Sequence, residues 1–200
     1  MPVITKPMLR GLYDWVMGLA AHHNATWVLA AVAFIESSVF PIPPDAMLIP
    51  MTLADRRKAW LYAIVATVAS VLGGIVGYLI GYFLYDTVGQ AILEFYGKMD
   101  KFESFTAKYN EHGAAIVFFA GLTPFPYKVI TIASGVTKMA VPVFIAASVI
   151  SRGMRFFLVC GLLYWFGPPI KVFIEKYLGW LTLAFGILLV GGFVAIRYVF

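Results

Sequence analysis

Charge is what this chain of 200 residues has least of. Asp, Glu, Lys and Arg make up 12% of it, against about a quarter in soluble domains, while 62% is hydrophobic and mean hydropathy is +0.87. That shortage excludes an ordinary soluble fold and predicts an all-α polytopic membrane protein, residues 1–200 forming a single integral membrane domain. Cysteine is nearly absent: Cys160 alone excludes an internal disulfide, and its apolar surroundings make it a packing residue. Histidine is scarce too, with His22, His23 and His112 all at the edges of segments. Neighbours on a helix diverge, so no metal set forms. A nucleophile such as Ser134 has no base in reach, which argues against an intramembrane protease or any other enzyme. No basic stretch exceeds Arg56-Arg57-Lys58, so the net charge of +5 does not mean nucleic acid. Basic residues at membrane ends instead set orientation and meet anionic lipid. There is no glycine-rich phosphate loop, so no cofactor is expected. The N-terminus shows no apolar core followed by a small-residue cleavage site, so no cleaved signal peptide is expected.

What is present is a broken, proline-rich turn that occurs twice. Pro41-Ile42-Pro43-Pro44-Asp45 and Pro124-Phe125-Pro126-Tyr127-Lys128 share the pattern P-x-P-x-charge, offset by 83 residues (124 − 41, 128 − 45). One copy ends in an acid, the other in a base. Proline removes a backbone donor and clashes with the preceding turn. Broken helices persist at membrane depth only where they line a cavity or are packed in protein. Paired breaks in corresponding halves are a pointer to a transporter's binding site.

Along the chain, residues 8 to 24 mix apolar and charged side chains and read as an amphipathic interfacial helix. Residues 25–54 carry Glu36, Asp45 and four prolines (41, 43, 44, 50), and predict a re-entrant hairpin with its tip near 38 to 45. Ala59 to Tyr85 is uncharged and long enough for the roughly 20 residues that a spanning helix needs. Within it Gly73, Gly77 and Gly81 form a strip on which another backbone could pack closely, from this chain or from a second copy in a homo-oligomer. A charged, aromatic-rich connector occupies 86–112. The second hairpin is expected at 113–137, broken at Pro124 and Pro126. Met139 to Phe166 reads as a second span and Tyr177 to Ile196 as a third, after a short polar link at 171 to 176. The halves are thus 8–85 and 113–197, an inverted repeat. Counting positive charge puts 55 to 58 and 171 to 176 in the cytoplasm and the connector outside, so the hairpins would enter from opposite faces.

Five ionisable side chains fall inside predicted membrane segments: Glu36, Asp45, Lys128, Arg152 and Arg155. A charge at the bilayer centre costs at least about 2.5–3.5 kcal/mol, so each needs a partner or a water-filled cavity. Arg152 and Arg155 share one helix face. Two acids against three bases leave one positive charge, which a cavity receiving an anion such as a phosphate head group would use. Half-helix N-termini at the breaks would add to it. Glu36 and Asp45 either exchange protons, poised between desolvation and nearby arginines, or pair statically with the cations. Arg152, Arg155 and Lys128 either contact substrate or serve as structural partners, and Lys128 could also snorkel.

These motifs resemble the DedA family (VTT-domain, SNARE-associated-like membrane proteins). Phe34-Ile35-Glu36-Ser37-Ser38 runs into Phe40-Pro41-Ile42-Pro43-Pro44-Asp45, and Gly121-Leu122-Thr123-Pro124-Phe125-Pro126-Tyr127-Lys128 runs into Ala133-Ser134-Gly135. The second stretch is similar to a shorter, YqaA-like branch. The resemblance covers about residues 25 to 165 and implies two opposed re-entrant hairpins. It also implies proton-coupled flipping or scrambling of polyprenyl phosphates or phospholipids in a bacterial inner membrane. By it, Glu36 matches the family's membrane acid and Asp45 its second acid. Typical members carry an arginine-phenylalanine-x-proline-x-x-arginine motif in the second hairpin; here only Lys128 follows the break, and Arg152 and Arg155 would supply the charge. The expected partners are anionic lipids and protons. A proton-coupled carrier of a small ion or solute, and a non-transporting scaffold supporting the envelope, are the rival readings.

Overall fold

Two ten-residue helices and two 26-residue helices recur in the same order along the chain, and their bounds are related by one number. The computed structural model describes residues 24–38, 43–123, 125–167 and 169. The expected interfacial helix at 8 to 24, the link at 171 to 176 and the third span at 177 to 196 lie outside them, as do Pro41 and Pro124. Every regular element among the described residues is helical: α1 (Ala25–Ser38), α2 (Asp45–Ala54), α3 (Ala59–Leu84), α4 (Gln90–Phe95), α5 (Met99–Leu122), α6 (Tyr127–Val136) and α7 (Val141–Phe166). Helices α2 and α6 are ten residues each, and α3 and α7 are 26 each. The second set follows the first by 82 residues at every boundary (127 − 45, 136 − 54, 141 − 59, 166 − 84). This is one less than the spacing of the proline turns, and it extends their repeat over the two helices that follow each break.

The breaks fall where proline chemistry puts them. Helix α1 stops at Ser38 and α2 starts at Asp45, with Pro44 as its N-cap at φ −63°. Helix α5 stops at Leu122 and α6 starts at Tyr127, with Pro126 as its N-cap at φ −60°. A fixed φ suits proline to a helix start, where its missing donor is not needed. Two expected boundaries are absent. Helix α3 runs through a π-helical turn at Tyr85–Gly89 into α4, giving one helix from Arg56 to Phe95. Likewise α5 carries on from the charged connector into the first arm of the second hairpin. A change of composition at 86 or 113 does not break a helix, because neither position holds a proline or a strained backbone.

The two long helices pack antiparallel. The N-terminal half of α3 (Ala59, Ala63, Ala66) shares a core with Phe156 and Cys160 from the C-terminal half of α7, filled by Leu29 and Ala33 of α1 and Met47, Leu48 and Met51 of α2. The C-terminal half of α3 (Tyr78) shares a second core with Phe144 and Ala147 of α7, filled by Val117 of α5 and Tyr127 of α6. Each hairpin therefore fills one end of the α3–α7 pair, and the two breaks face each other halfway along. Hydrogen bonds fasten the second hairpin at its open end: Tyr78 donates to the Met139 carbonyl (2.7 Å) and Asn110 to the Thr137 carbonyl (2.9 Å).

Close approach depends on the glycines of α3. A Cβ at Gly73 would run into the Phe34 carbonyl of α1, and one at Gly81 into the Ile132 carbonyl of α6. At Gly77 it would meet Thr131 Oγ1 and the Ser37 carbonyl, 3.2 Å away, so both hairpins lie against this one position. Gly135 of α6 returns the contact, facing the Tyr78 carbonyl. Helices Arg56–Phe95 and Val141–Phe166 are long and apolar enough to cross a membrane. Leu61, Ile64, Val68, Leu72, Leu79 and Phe83 form an exposed stripe down α3, and Ile150, Met154, Leu158, Leu162 and Trp165 another down α7.

Candidate functional site

Between the two apolar cores lies a polar layer, built from the midpoints of α3 and α7 and the two hairpin breaks. Ser37, Ser70, Thr131, Ser134, Ser148, Ser151 and Arg152 are all buried in or beside it. Arg152 is only 2% exposed. A buried charge is tolerated when paired and hydrogen-bonded, and the guanidinium has both a carboxylate and a hydroxyl partner. Its Nε donates to Ser70 Oγ at 2.6 Å and its terminal nitrogen to Glu36 Oε2 at 2.8 Å. Its flat faces lie 4.8 Å from the ring centres of both Tyr127 and Phe156. Ser37 completes the cluster, with Oγ 2.7 Å from Ser70 Oγ and donating to Glu36 at 3.2 Å. Ser70 and Arg152 stand 82 residues apart, so they occupy matching positions of the two units and meet where those units cross.

One helical turn further along α7, Arg155 joins the two breaks. One terminal nitrogen donates to Asp45, the first residue of α2; the other donates to the Thr123 carbonyl at the end of α5, 2.6 Å away. A cation suits that carbonyl, since helix C-termini leave acceptors unpaired and carry partial negative charge. This pair is more open than the first: the side chains of Arg155 and Asp45 are 18% and 20% exposed, against 14% for Glu36. Asp45 Oδ1 is buried and has no hydrogen-bond partner among the described residues.

Of the five ionisable residues singled out from sequence, Glu36, Asp45, Arg152 and Arg155 thus come together as two ion pairs, the static pairing that is one of the two alternatives the sequence leaves open. Lys128 lies in the first turn of α6, half-buried, one residue past Tyr127. Pro43 and Pro44 adjoin the first break, and Pro126 the second. Sequence reasoning passed over Ser37, Ser70, Tyr127 and the Thr123 carbonyl. A single serine in an apolar helix gives no pattern, and a carbonyl acceptor is invisible in sequence. The repeat spacing applied to Arg152 would have pointed to Ser70. Tyr127 donates a short hydrogen bond to Ser148, and Thr131 reaches the Ser37 carbonyl at 3.3 Å, tying the second hairpin to both α7 and the first hairpin. Among the described residues no three His, Cys, Asp or Glu side chains gather as metal ligands would.

Two apolar cavities flank the C-terminal half of α5. One, of about 490 Å³, lies against α7 between Phe118 and Val143. The other, of about 350 Å³, lies against α6 and includes Thr123 in its lining.

Comparison with known proteins agrees with this architecture. The VTT domain matches residues 42–165, from within the first break to the last turn of α7, and includes the second break and both arginines. An uncharacterized protein of Haemophilus influenzae is 38% identical over 172 residues, covering 84% of this chain and 89% of its own length. A homologous protein of Histophilus somni is likewise 38% identical over 172 residues, covering 84% of this chain and 90% of its own. No solved structure matches the chain. With the VTT domain spanning most of its length and two apolar helices framing a buried charged layer, the chain belongs to the VTT-domain (DedA) family of membrane proteins, whose role is transporter-like.

Proposed function

We propose that this protein moves a phosphorylated lipid, a polyprenyl phosphate or a phospholipid, between the leaflets of a bacterial inner membrane. Proton exchange at Asp45 would control access to the site. The carrying observation is the position of Arg155, held between Asp45 at one hairpin break and the Thr123 carbonyl at the other. In this reading α3 and α7 span the bilayer, the hairpins re-enter from opposite faces, and their breaks meet near the midplane. Protonating Asp45 removes the charge that holds Arg155. The guanidinium then turns to a phosphate head group, for which its planar fork is suited. Lys128 and the start of α6 add positive charge beside it. The Glu36–Arg152 pair has the opposite character: the pair, the serines and two aromatic rings enclose the charges, so it fixes how the hairpins dock and does not exchange with substrate. Proton coupling thus falls to Asp45, and Glu36 maintains the geometry.

Head-group translocation in reconstituted liposomes tests this, with a labelled phospholipid in one arm and a polyprenyl phosphate in the other. Native protein is expected to respond to a proton gradient, Asp45→Asn to translocate without responding to it, and Arg155→Ala to lose translocation. Equal rates in all three would remove the site. Uptake of a small anion with no lipid movement would shift the reading to a proton-coupled solute carrier.

A further inference from the structure

We infer that the apolar groove between α5 and α6 holds one hydrocarbon chain of an anionic lipid, with the head group placed at Arg155. The lipid reading above supplies the identity of the occupant; the groove itself supplies its shape and chemistry. Ala115 and Ala120 leave the space, because their small side chains do not fill the gap beside α6. Ile116, Phe119, Phe125 and Ile130 provide its walls. Its volume, about 350 Å³, lies near the low end of the range of about 300–1,000 Å³ common for small-ligand clefts.

Three observations select a lipid chain over other guests. First, the lining offers nothing polar to a solute: the one hydroxyl, on Thr123, is turned back onto the Phe119 carbonyl at 2.7 Å. Second, the groove opens sideways along the apolar half of α5, with Ala115 exposed and Phe119 60% exposed at its rim. Third, its lining includes Thr123, whose carbonyl accepts from Arg155, so the apolar groove reaches a residue held by a guanidinium. A long chain with a negative end matches that order of surfaces. The cavity on the other side of α5 has the same apolar character but ends at no charged group.

The test uses full-length protein in lipid nanodiscs containing phosphatidylglycerol with a photoreactive group in one acyl chain. Adducts are expected to concentrate on residues 115–130, well above those on the exposed faces of α3 and α7. Phosphatidylcholine with the same chain should label the groove less. Ala120→Trp fills the inner wall and Ala115→Trp blocks the rim, where exposure makes the substitution tolerable to the fold. Each should cut groove labelling by about fourfold, the effect of losing about one buried methylene. Adducts spread evenly over Leu61, Ile64 and Leu158 as well, or unchanged by both tryptophans, would overturn the inference. So would a photo-crosslinker at position 119 that captures residues 177–196 of its own chain, or a second copy, instead of lipid. Groove labelling that persists while native protein and Arg155→Ala translocate equally would support the chain site and remove the transport reading. Translocation that depends on Arg155 with evenly spread adducts would remove the chain site alone.

Discussion

The two three-helix units share the lengths of their second and third helices, and each fills one end of the α3–α7 pair, but they divide the chemistry between them. The first unit contributes the carboxylates, Glu36 and Asp45, on either side of its break, together with Ser37 and Ser70. The second contributes the guanidiniums, Arg152 and Arg155, and the aromatic face of Tyr127. Ser70 and Arg152 are equivalent positions that meet at the centre, 82 residues apart, whereas the ion pairs span 116 and 110 residues and so join non-equivalent positions of the two units. The two pairs differ as well: Glu36–Arg152 is enclosed, Asp45–Arg155 is partly open. In the proposed reading the first is a structural joint and the second is the pair that exchanges.

The most severe way to break this comparison is to remove one charge of the enclosed pair. Arg152→Met leaves the largely enclosed Glu36 carboxylate without its partner and should cost about 3 kcal/mol, seen as a large drop in thermal midpoint or loss of folded protein. Adding Glu36→Leu to Arg152→Met should recover most of that loss, since apolar replacements of whole buried pairs are often neutral or better. A double variant no more stable than the single one would show that the pair is not a unit.

Comparable in size are the glycines that let each hairpin approach α3. Gly73→Leu disturbs the first hairpin and Gly81→Leu the second, and each should cost about 3 kcal/mol by overpacking against backbone. Gly153→Ala is the control on α7, where a Cβ would meet only Thr67 Cγ2 at 3.7 Å. It should be neutral or stabilising by up to about 1 kcal/mol. Thermal unfolding in one detergent ranks all three. A tolerant Gly73 beside a sensitive Gly81 would show that the hairpins are not docked alike.

Asp45→Asn sharpens the contrast between the two pairs. It should cost about 1 kcal/mol or less, as expected for a partly solvated pair, far below Arg152→Met. A loss as large as that of Arg152→Met would place both pairs in the structural role.

The smallest effect concerns Lys138, in the link between α6 and α7, which takes a left-handed backbone with φ 50°. It pairs with Asp86 at 2.7 Å and lies beside the rings of Tyr82 and Tyr85. The Asp86 carboxylate raises the Lys138 pKa above its ordinary 10.5. A raised lysine pKa gives stability that is present in full below pH 10.5 and is lost as pH climbs through the folded value. Lys138→Gly relieves the backbone and removes the pair, so it should be near neutral at pH 7 and more stable than native protein above pH 10.5. Melting curves across that range check the sign.

Much of the fold was legible from Pro41 to Asp45 and Pro124 to Lys128. Proline fixes φ and removes a donor wherever it stands, so the breaks between α1 and α2 and between α5 and α6 are local chemistry. The boundaries at 86 and 113 were misplaced for the complementary reason. A helix tolerates a change from apolar to charged side chains, and only backbone constraints stop it. Gly73, Gly77 and Gly81 announced a contact strip, but their partners come from residues up to 54 positions away (131 − 77).

The sequence by itself determined that a charge-poor, apolar chain carries two broken hairpins 83 residues apart and a small set of buried ionisable groups, because hydropathy, proline geometry and the cost of burying charge are properties of short stretches. Only the tertiary structure decided that α3 and α7 run antiparallel, that Ser70 meets Arg152, and that Glu36 and Asp45 each take one arginine. Pairing is a matter of distance, and distances across 82, 110 or 116 residues are set by how the two units pack.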